Sequence, residues 1–179
     1  MRYTLLLSLC ITSLTANPNL AQGPPKPTRK IEAMKKLSDW VGEWKGKGWI
    51  EMKGQRSHFN STESIKMKVG GVAILVEGVH KAKYGDREVT VHDAMGVLTY
   101  DDKQDEYRFQ TFLATGQVGN YKAELLKPGR IRWTIDDMPF GTMQYTIDFT
   151  ADTWHEVGRI SRDGKEWKKM FDMQLKKQR

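Results

Sequence analysis

From Trp44 onward the chain alternates between apolar and polar positions. Trp44, Gly46, Gly48, Ile50 and Met52 fall on one side, and Lys45, Lys47, Trp49, Glu51 and Lys53 on the other. Phe59, Ser61, Glu63, Ile65, Met67 and Val69 repeat the pattern against Asn60, Thr62, Ser64, Lys66 and Lys68. A period of two marks a strand with one buried face, because successive side chains point to opposite sides of a sheet. Similar segments follow over 72–80, 89–99, 106–114, 121–127, 131–135, 143–149, 154–161 and 166–175. Gly70-Gly71, Tyr84-Gly85-Asp86-Arg87, Lys127-Pro128-Gly129-Arg130 and Arg162-Asp163-Gly164-Lys165 separate several of them, and such pairs favour tight turns.

Before the strands the period is helical. Ile31, Met34 and Leu37/Trp40 line one side of residues 29–37, with Thr28 placed to cap the first turn. No second helical pattern follows. The prediction is an all-β fold: one antiparallel, up-and-down barrel of about eight to ten strands, with a short N-terminal helix as its lid. Closure is favoured because an open sheet of this length leaves two unpaired edges. A sandwich accommodates the same strand count.

The first residues stand apart from that pattern. A short cationic start, Met1-Arg2-Tyr3, precedes an apolar run containing Leu5, Leu6, Leu7, Leu9, Ile11 and Leu14, and a more polar stretch ends at Ala21. This layout predicts a signal peptide over 1–21 and a secreted or periplasmic protein; the run falls short of the roughly 20 apolar residues a membrane span needs. Leu7-Ser8-Leu9-Cys10 is set aside as a lipoprotein box, because Leu9 stands where a small residue belongs. Gly23-Pro24-Pro25-Lys26-Pro27 makes 22–29 an extended linker, and 30–179 the barrel domain. Cys10 is the only cysteine, so the mature chain is expected to carry no disulfide, thiol nucleophile or thiolate metal site.

The chain of 179 residues carries 29 Lys+Arg against 22 Asp+Glu, a formal net charge of +7. The basic residues are dispersed, with clusters only at 165–169 and in the tail Lys176-Lys177-Gln178-Arg179. With no nucleic-acid motif, this reads as a solvated surface rather than a nucleic-acid face. No stable membrane insertion is expected once the signal is removed.

Gly42-Glu43-Trp44, set between a short helix and the first strand, resembles the Gly-x-Trp signature of lipocalins and related calycin barrels. The resemblance implies that Trp44 corks the narrow end and that a cation from a late strand lies over its indole. Arg159 is assigned that place, with Arg162 second. Gly70-Gly71, the run Gly96-Val97-Leu98-Thr99-Tyr100-Asp101 leading to Tyr107, and Trp154-His155-Glu156 followed by 161–167 narrow the match. Together they resemble the DUF1579 family, small exported bacterial proteins of unknown function with a lipocalin-like barrel. The match spans 34–176 and departs from the family pattern at Phe109, where a Trp is expected.

Chemistry is sparsely signalled. The four histidines, His58, His80, His92 and His155, form neither His-x-His nor His-Glu-x-x-His, so no metal site is expected. Gly42 to Gly48 also resembles the opening of nitrobindin-like barrels, which bind haem through a late-strand His. That resemblance nominates His155, although its parity opposes that of Trp154 and Ile160. Otherwise no cofactor is expected. Glu63 and Asp93 share faces with apolar neighbours and are candidates for a general acid and base, since burial raises a carboxyl's pKa. No serine triad, nucleophile elbow or phosphate loop is present. An enzyme is the less favoured reading.

The favoured expectation is a barrel holding a small, largely apolar molecule against Met67, Met95, Phe109, Tyr145 and Phe149. A structural or protein-docking module with a filled interior is the competitor, since small barrels can be packed by their own side chains. The size of the internal void separates the two.

Overall fold

The structure, a computed structural model, describes residues 29–179. The expected signal peptide, nearly all of the linker and the Thr28 cap lie outside the described residues. Helix α1 (Arg29–Lys35) leads into a 3-10 turn at Ser38–Trp40. Ten strands follow: β1 (Gly42–Met52), β2 (Gln55–Lys68), β3 (Ala73–Tyr84), β4 (Arg87–Asp101), β5 (Glu106–Leu113), β6 (Val118–Lys127), β7 (Arg130–Met138), β8 (Gly141–Phe149), β9 (Thr153–Ser161) and β10 (Lys168–Lys177). Each pairs antiparallel with its chain neighbour, and β1 pairs with β10 from Trp44 opposite Lys177 to Ile50 opposite Phe171. The barrel is therefore closed, as the alternation predicts, and the sandwich is excluded. Closure gives every strand a partner on both sides, so neither end of the sheet carries an unpaired row of amides.

The N-terminal segment closes one end. Met34, Leu37 and Trp40 are fully covered and pack with Trp44, Phe149 and Trp154. Trp40 stacks on Phe149 at 5.9 Å and meets Trp154 edge-on at 5.1 Å, while Trp44 meets Trp154 edge-on at 5.8 Å. Each such side chain taken out of water stabilises the closed end by about 1.5–3 kcal/mol. Two of the buried polar groups find partners, while the indole N–H groups of Trp40 and Trp154 have none among the described residues. The Trp44 indole N–H donates to the Trp40 carbonyl at 2.9 Å, and the Tyr107 hydroxyl donates to Ala33 O at 2.8 Å.

Trp44 is thus the cork, but Arg159 does not cover it. Arg159 follows the outward parity of β9 and is exposed. The cation over the indole is Lys177, with Nζ 4.8 Å from the ring centroid and donating to Asp39 O at 2.9 Å and Val41 O at 2.8 Å. Closure explains the difference: register puts Lys177 directly opposite Trp44, while β9 lies one strand further away.

One strand is turned over relative to expectation. In β4 the inward positions are His92, Ala94, Gly96, Leu98 and Tyr100, not Val91, Asp93, Met95 and Val97. The inner face needs small residues at this level. A Cβ on Gly96 would lie 2.4 Å from a ring carbon of Phe109, so the Phe109 ring occupies the space a side chain would fill. Val91, Met95 and Val97 go to the outer wall, which inverts the apparent hydrophobic pattern over that half of the strand.

Candidate ligand site in the barrel lumen

Away from the cork, the interior holds a cavity of about 1490 Å³. Small-molecule sites commonly occupy about 300–1,000 Å³, so this void is ample for a ligand. The space exists because several inward positions carry little bulk: Gly78, Ala82, Ala94 and Gly96 all border it. Its aromatic wall comes from five strands. Trp133 stacks on Tyr145 at 4.5 Å, Phe109 meets Trp133 edge-on at 5.3 Å, and Phe59 stacks on His80 at 4.3 Å and on Phe171 at 5.7 Å. The buried indole N–H of Trp133 has no hydrogen-bond partner among the described residues, so it is a donor a ligand can use.

Four ionisable side chains converge here. Glu63 on β2 is 6% exposed, and its Oε1 accepts a hydrogen bond from Ser61 Oγ at 3.1 Å and lies 3.0 Å from His80 Nε2. The carboxyl lies flat over Gly78 of β3, where an added Cβ would sit 2.4 Å from Oε2. Only glycine leaves that room. Burial pushes Glu63 up to about 8, against the Ser61 hydrogen bond. Burial likewise pushes His80 down to about 4. The uncharged arrangement is therefore favoured: the shared proton stays on the carboxyl and the imidazole stays neutral.

His92 on β4 stands 4.7 Å from the His80 ring and is also lowered to about 4, by burial first and then by His80, with Asp93 opposing. Glu156 on β9 is 8% exposed and borders the same cavity. Burial first, and the nearby Glu63 charge second, raise it to about 8. The Trp154 indole pulls slightly the other way without reaching hydrogen-bond geometry. No cation pairs with Glu156 among the described residues. Tyr145, beside it, is raised by burial, then by Glu156 and Tyr121.

The expected site residues divide as follows. Glu63, Phe109 and Tyr145 border the cavity. Met67 and Phe149 point inward but belong to the packed core rather than the cavity wall. Met95 borders the cavity only from the outer face of β4 and is 40% exposed. Asp93 is exposed on that same outer face, so it does not join Glu63, and the acid–base pair drawn from the sequence is not assembled. His155 is 44% exposed on the outer wall, 3.2 Å from Asp172. It does not border the lumen and is not placed to ligate a haem there. Among the described residues no group of three or more His, Cys, Asp or Glu is arranged to hold a metal ion.

Sequence reasoning missed Glu156 and His92 as lumen residues. Glu156 was within reach, since it shares parity with Trp154, Gly158 and Ile160, all on the inward face of β9. His92 was not, because its neighbours Val91 and Met95 carry the misleading apolar signal.

No family model and no curated protein sequence matches the chain. Solved structures do. Rv2717c from M. tuberculosis superposes with a TM-score of 0.60 at 13% identity, covering 85% of this chain and 99% of its own. The S-type phycobiliprotein lyase CPES from Guillardia theta superposes at 0.56 with 11% identity, covering 87% and 98%. This is a calycin-like barrel. At such identities the likeness is one of fold, and the chemistry has to be argued from the lumen itself.

Proposed function

We propose that this calycin-like barrel binds a small, largely apolar molecule in its lumen. The observation that carries the reading is the cavity of about 1490 Å³, walled by Phe59, Phe109, Trp133, Tyr145 and Phe171. A filled barrel serving only as scaffold or docking module would have packed that space, because an empty apolar void forfeits contacts and stability. One end is sealed by the Trp40–Trp44–Trp154 cluster, so a ligand enters and leaves at the other, past Met52, Tyr84 and Phe140. The resemblance to exported DUF1579 proteins and the layout of residues 1–21 support a setting outside the cytoplasm, which N-terminal sequencing of the mature protein tests.

Native mass spectrometry of protein purified from its own host tests the binding itself. A reproducible non-covalent adduct is the expected result. Bare masses, together with no uptake of an environment-sensitive apolar dye, overturn the reading.

A haem form of the same reading cannot use His155, and His80 Nε2 is engaged with Glu63 at 3.0 Å. It therefore turns to His92, a neutral imidazole bordering the cavity. A Soret band on haem titration that disappears in His92→Ala supports it; absence of the band removes it.

A further inference from the structure

Given the lumen-binder reading on which this rests, we infer that the ligand is an organic amine: a compact apolar or aromatic body carrying one protonated nitrogen, held between Glu63 and Glu156.

The argument starts from the cost of the two acids. Both are more than nine-tenths buried and both border the cavity. Burying a carboxyl without a charged partner is expensive, and an apolar side chain of similar size would stabilise the barrel more. They come from β2 and β9, which are separated by β1 and β10, so no strand pairing requires them to meet. Glu63 has Ser61 and His80 beside it, but no Lys or Arg. Glu156 has no ion-pair partner among the described residues, and no hydrogen bond holds it as part of a structural network. Two cations of neighbouring strands are placed elsewhere. Lys177 is committed to the cork, and Arg159 faces out.

The remaining candidates for the empty space fit poorly. An anion would find no Lys or Arg beside either acid to pair with among the described residues. A wholly apolar molecule would leave Glu156 dry and without a hydrogen-bond partner, and Glu63 with only Ser61 and His80. A metal ion lacks a ligand set among the described residues. An ammonium answers both carboxyls at once through charge-assisted hydrogen bonds, and the faces of Tyr145 and Phe171 add cation–π attraction. The mouth does not oppose entry. Glu51, Asp163 and Glu166 border it alongside Lys53, Arg162 and Lys168, so the mouth carries no surplus of either sign.

Binding should then move protons. The ammonium enters charged, a carboxyl loses its proton to solvent, and the resulting carboxylate pairs with the ligand. The titratable groups facing Glu156 are Glu63 from β2, His80 from β3, His92 from β4, Tyr121 from β6 and Tyr145 from β8. Both histidines are held down to about 4, so they stay neutral while the two acids, raised to about 8, give up theirs. Amine affinity therefore rises with pH up to about 8, by about tenfold per unit where one proton is displaced.

Calorimetry on the full chain with naphthylmethylamine, naphthylmethanol and naphthoic acid tests this, run at neutral pH in two buffers of different ionisation enthalpy. The amine is expected to bind about tenfold tighter than the alcohol, with buffer-dependent heat reporting proton release. Glu156→Gln, which keeps the shape, should abolish both the preference and the release while still binding the alcohol. Should that variant fail to fold, the wild-type pH series decides, with the amine weakening on acidification and the alcohol unchanged. Equal affinities for amine and alcohol without proton release overturn the amine and leave the binder intact. Preference for naphthoic acid overturns it as well. If none of the three binds and native masses are bare, both readings fall together.

Discussion

His80 and Glu63 face into the lumen 3.0 Å apart, while His155 and Asp172 face outward from the wall 3.2 Å apart. Each pair spans two neighbouring antiparallel strands, and each is 17 residues apart in the chain. Inside, burial lifts Glu63 to about 8 and drops His80 to about 4, so the pair is neutral near pH 7. Outside, partial burial raises Asp172, but the Lys169 hydrogen bond and the His155 charge outweigh it and hold the carboxyl below the ordinary range. A carboxyl beside an imidazole, in nearly the same geometry, is thus held neutral inside and ionised outside. Solvent access decides it. The barrel keeps charge on its wall, where water screens it, and holds uncharged acids in the lumen, where an arriving cation would matter most.

That contrast can be broken at its source by opening the enclosure. Trp44 is 1% exposed and pairs in register with Glu63. Trp44→Ala should cost about 3–5 kcal/mol in urea denaturation, and water reaching the inner pair should bring Glu63 back toward ordinary carboxylate behaviour. Crowding the inner pair is the next largest change. Gly78→Val places bulk on the Glu63 carboxyl, and thermal or urea melts should show a loss of about 1–3 kcal/mol as the carboxyl is forced off His80.

The pH dependence of stability sharpens the comparison without touching the fold. Folded Glu63 and Glu156 keep their protons up to about 8, whereas the unfolded chain releases them near 4.5, so these groups lower stability as pH rises through that interval. His80 and His92, lowered from 6.5 to about 4, act oppositely and raise stability over that narrower range. The two effects offset one another up to about 6.5. Above it the two carboxyls dominate, and stability should fall by about 2–3 kcal/mol between pH ~6.5 and ~8. The double variant Glu63→Gln/Glu156→Gln should flatten that slope; an unchanged slope would mean the inner acids are already ionised. Smallest of all is the outer pair, where His155→Ala should cost less than about 1 kcal/mol in the same melts.

How far the chain was readable depends on which signal each feature leaves. The ten strands, the lid and the Trp44 cork are legible because they rest on period and on one Gly-x-Trp, both local. Glu63 is legible for the same reason: it alternates in step with Phe59 and Ile65. Asp93 misleads because Val91, Met95 and Val97 give its strand an apolar outer face, and only the bulk of Phe109 over Gly96 reveals which side is inside. Lys177 escapes notice because its partnership with Trp44 exists only once the last strand meets the first.

By itself, then, the amino-acid order determined the strand rhythm, the antiparallel all-β class and the presence of one inward carboxyl, since each follows from neighbours two to four positions apart. Tertiary structure alone decided the rest: which face of β4 looks inward, which cation covers the cork, and that Glu63 and Glu156 share one dry space. Those outcomes depend on contacts between distant strands and on the exclusion of water, and neither leaves a mark on the local pattern.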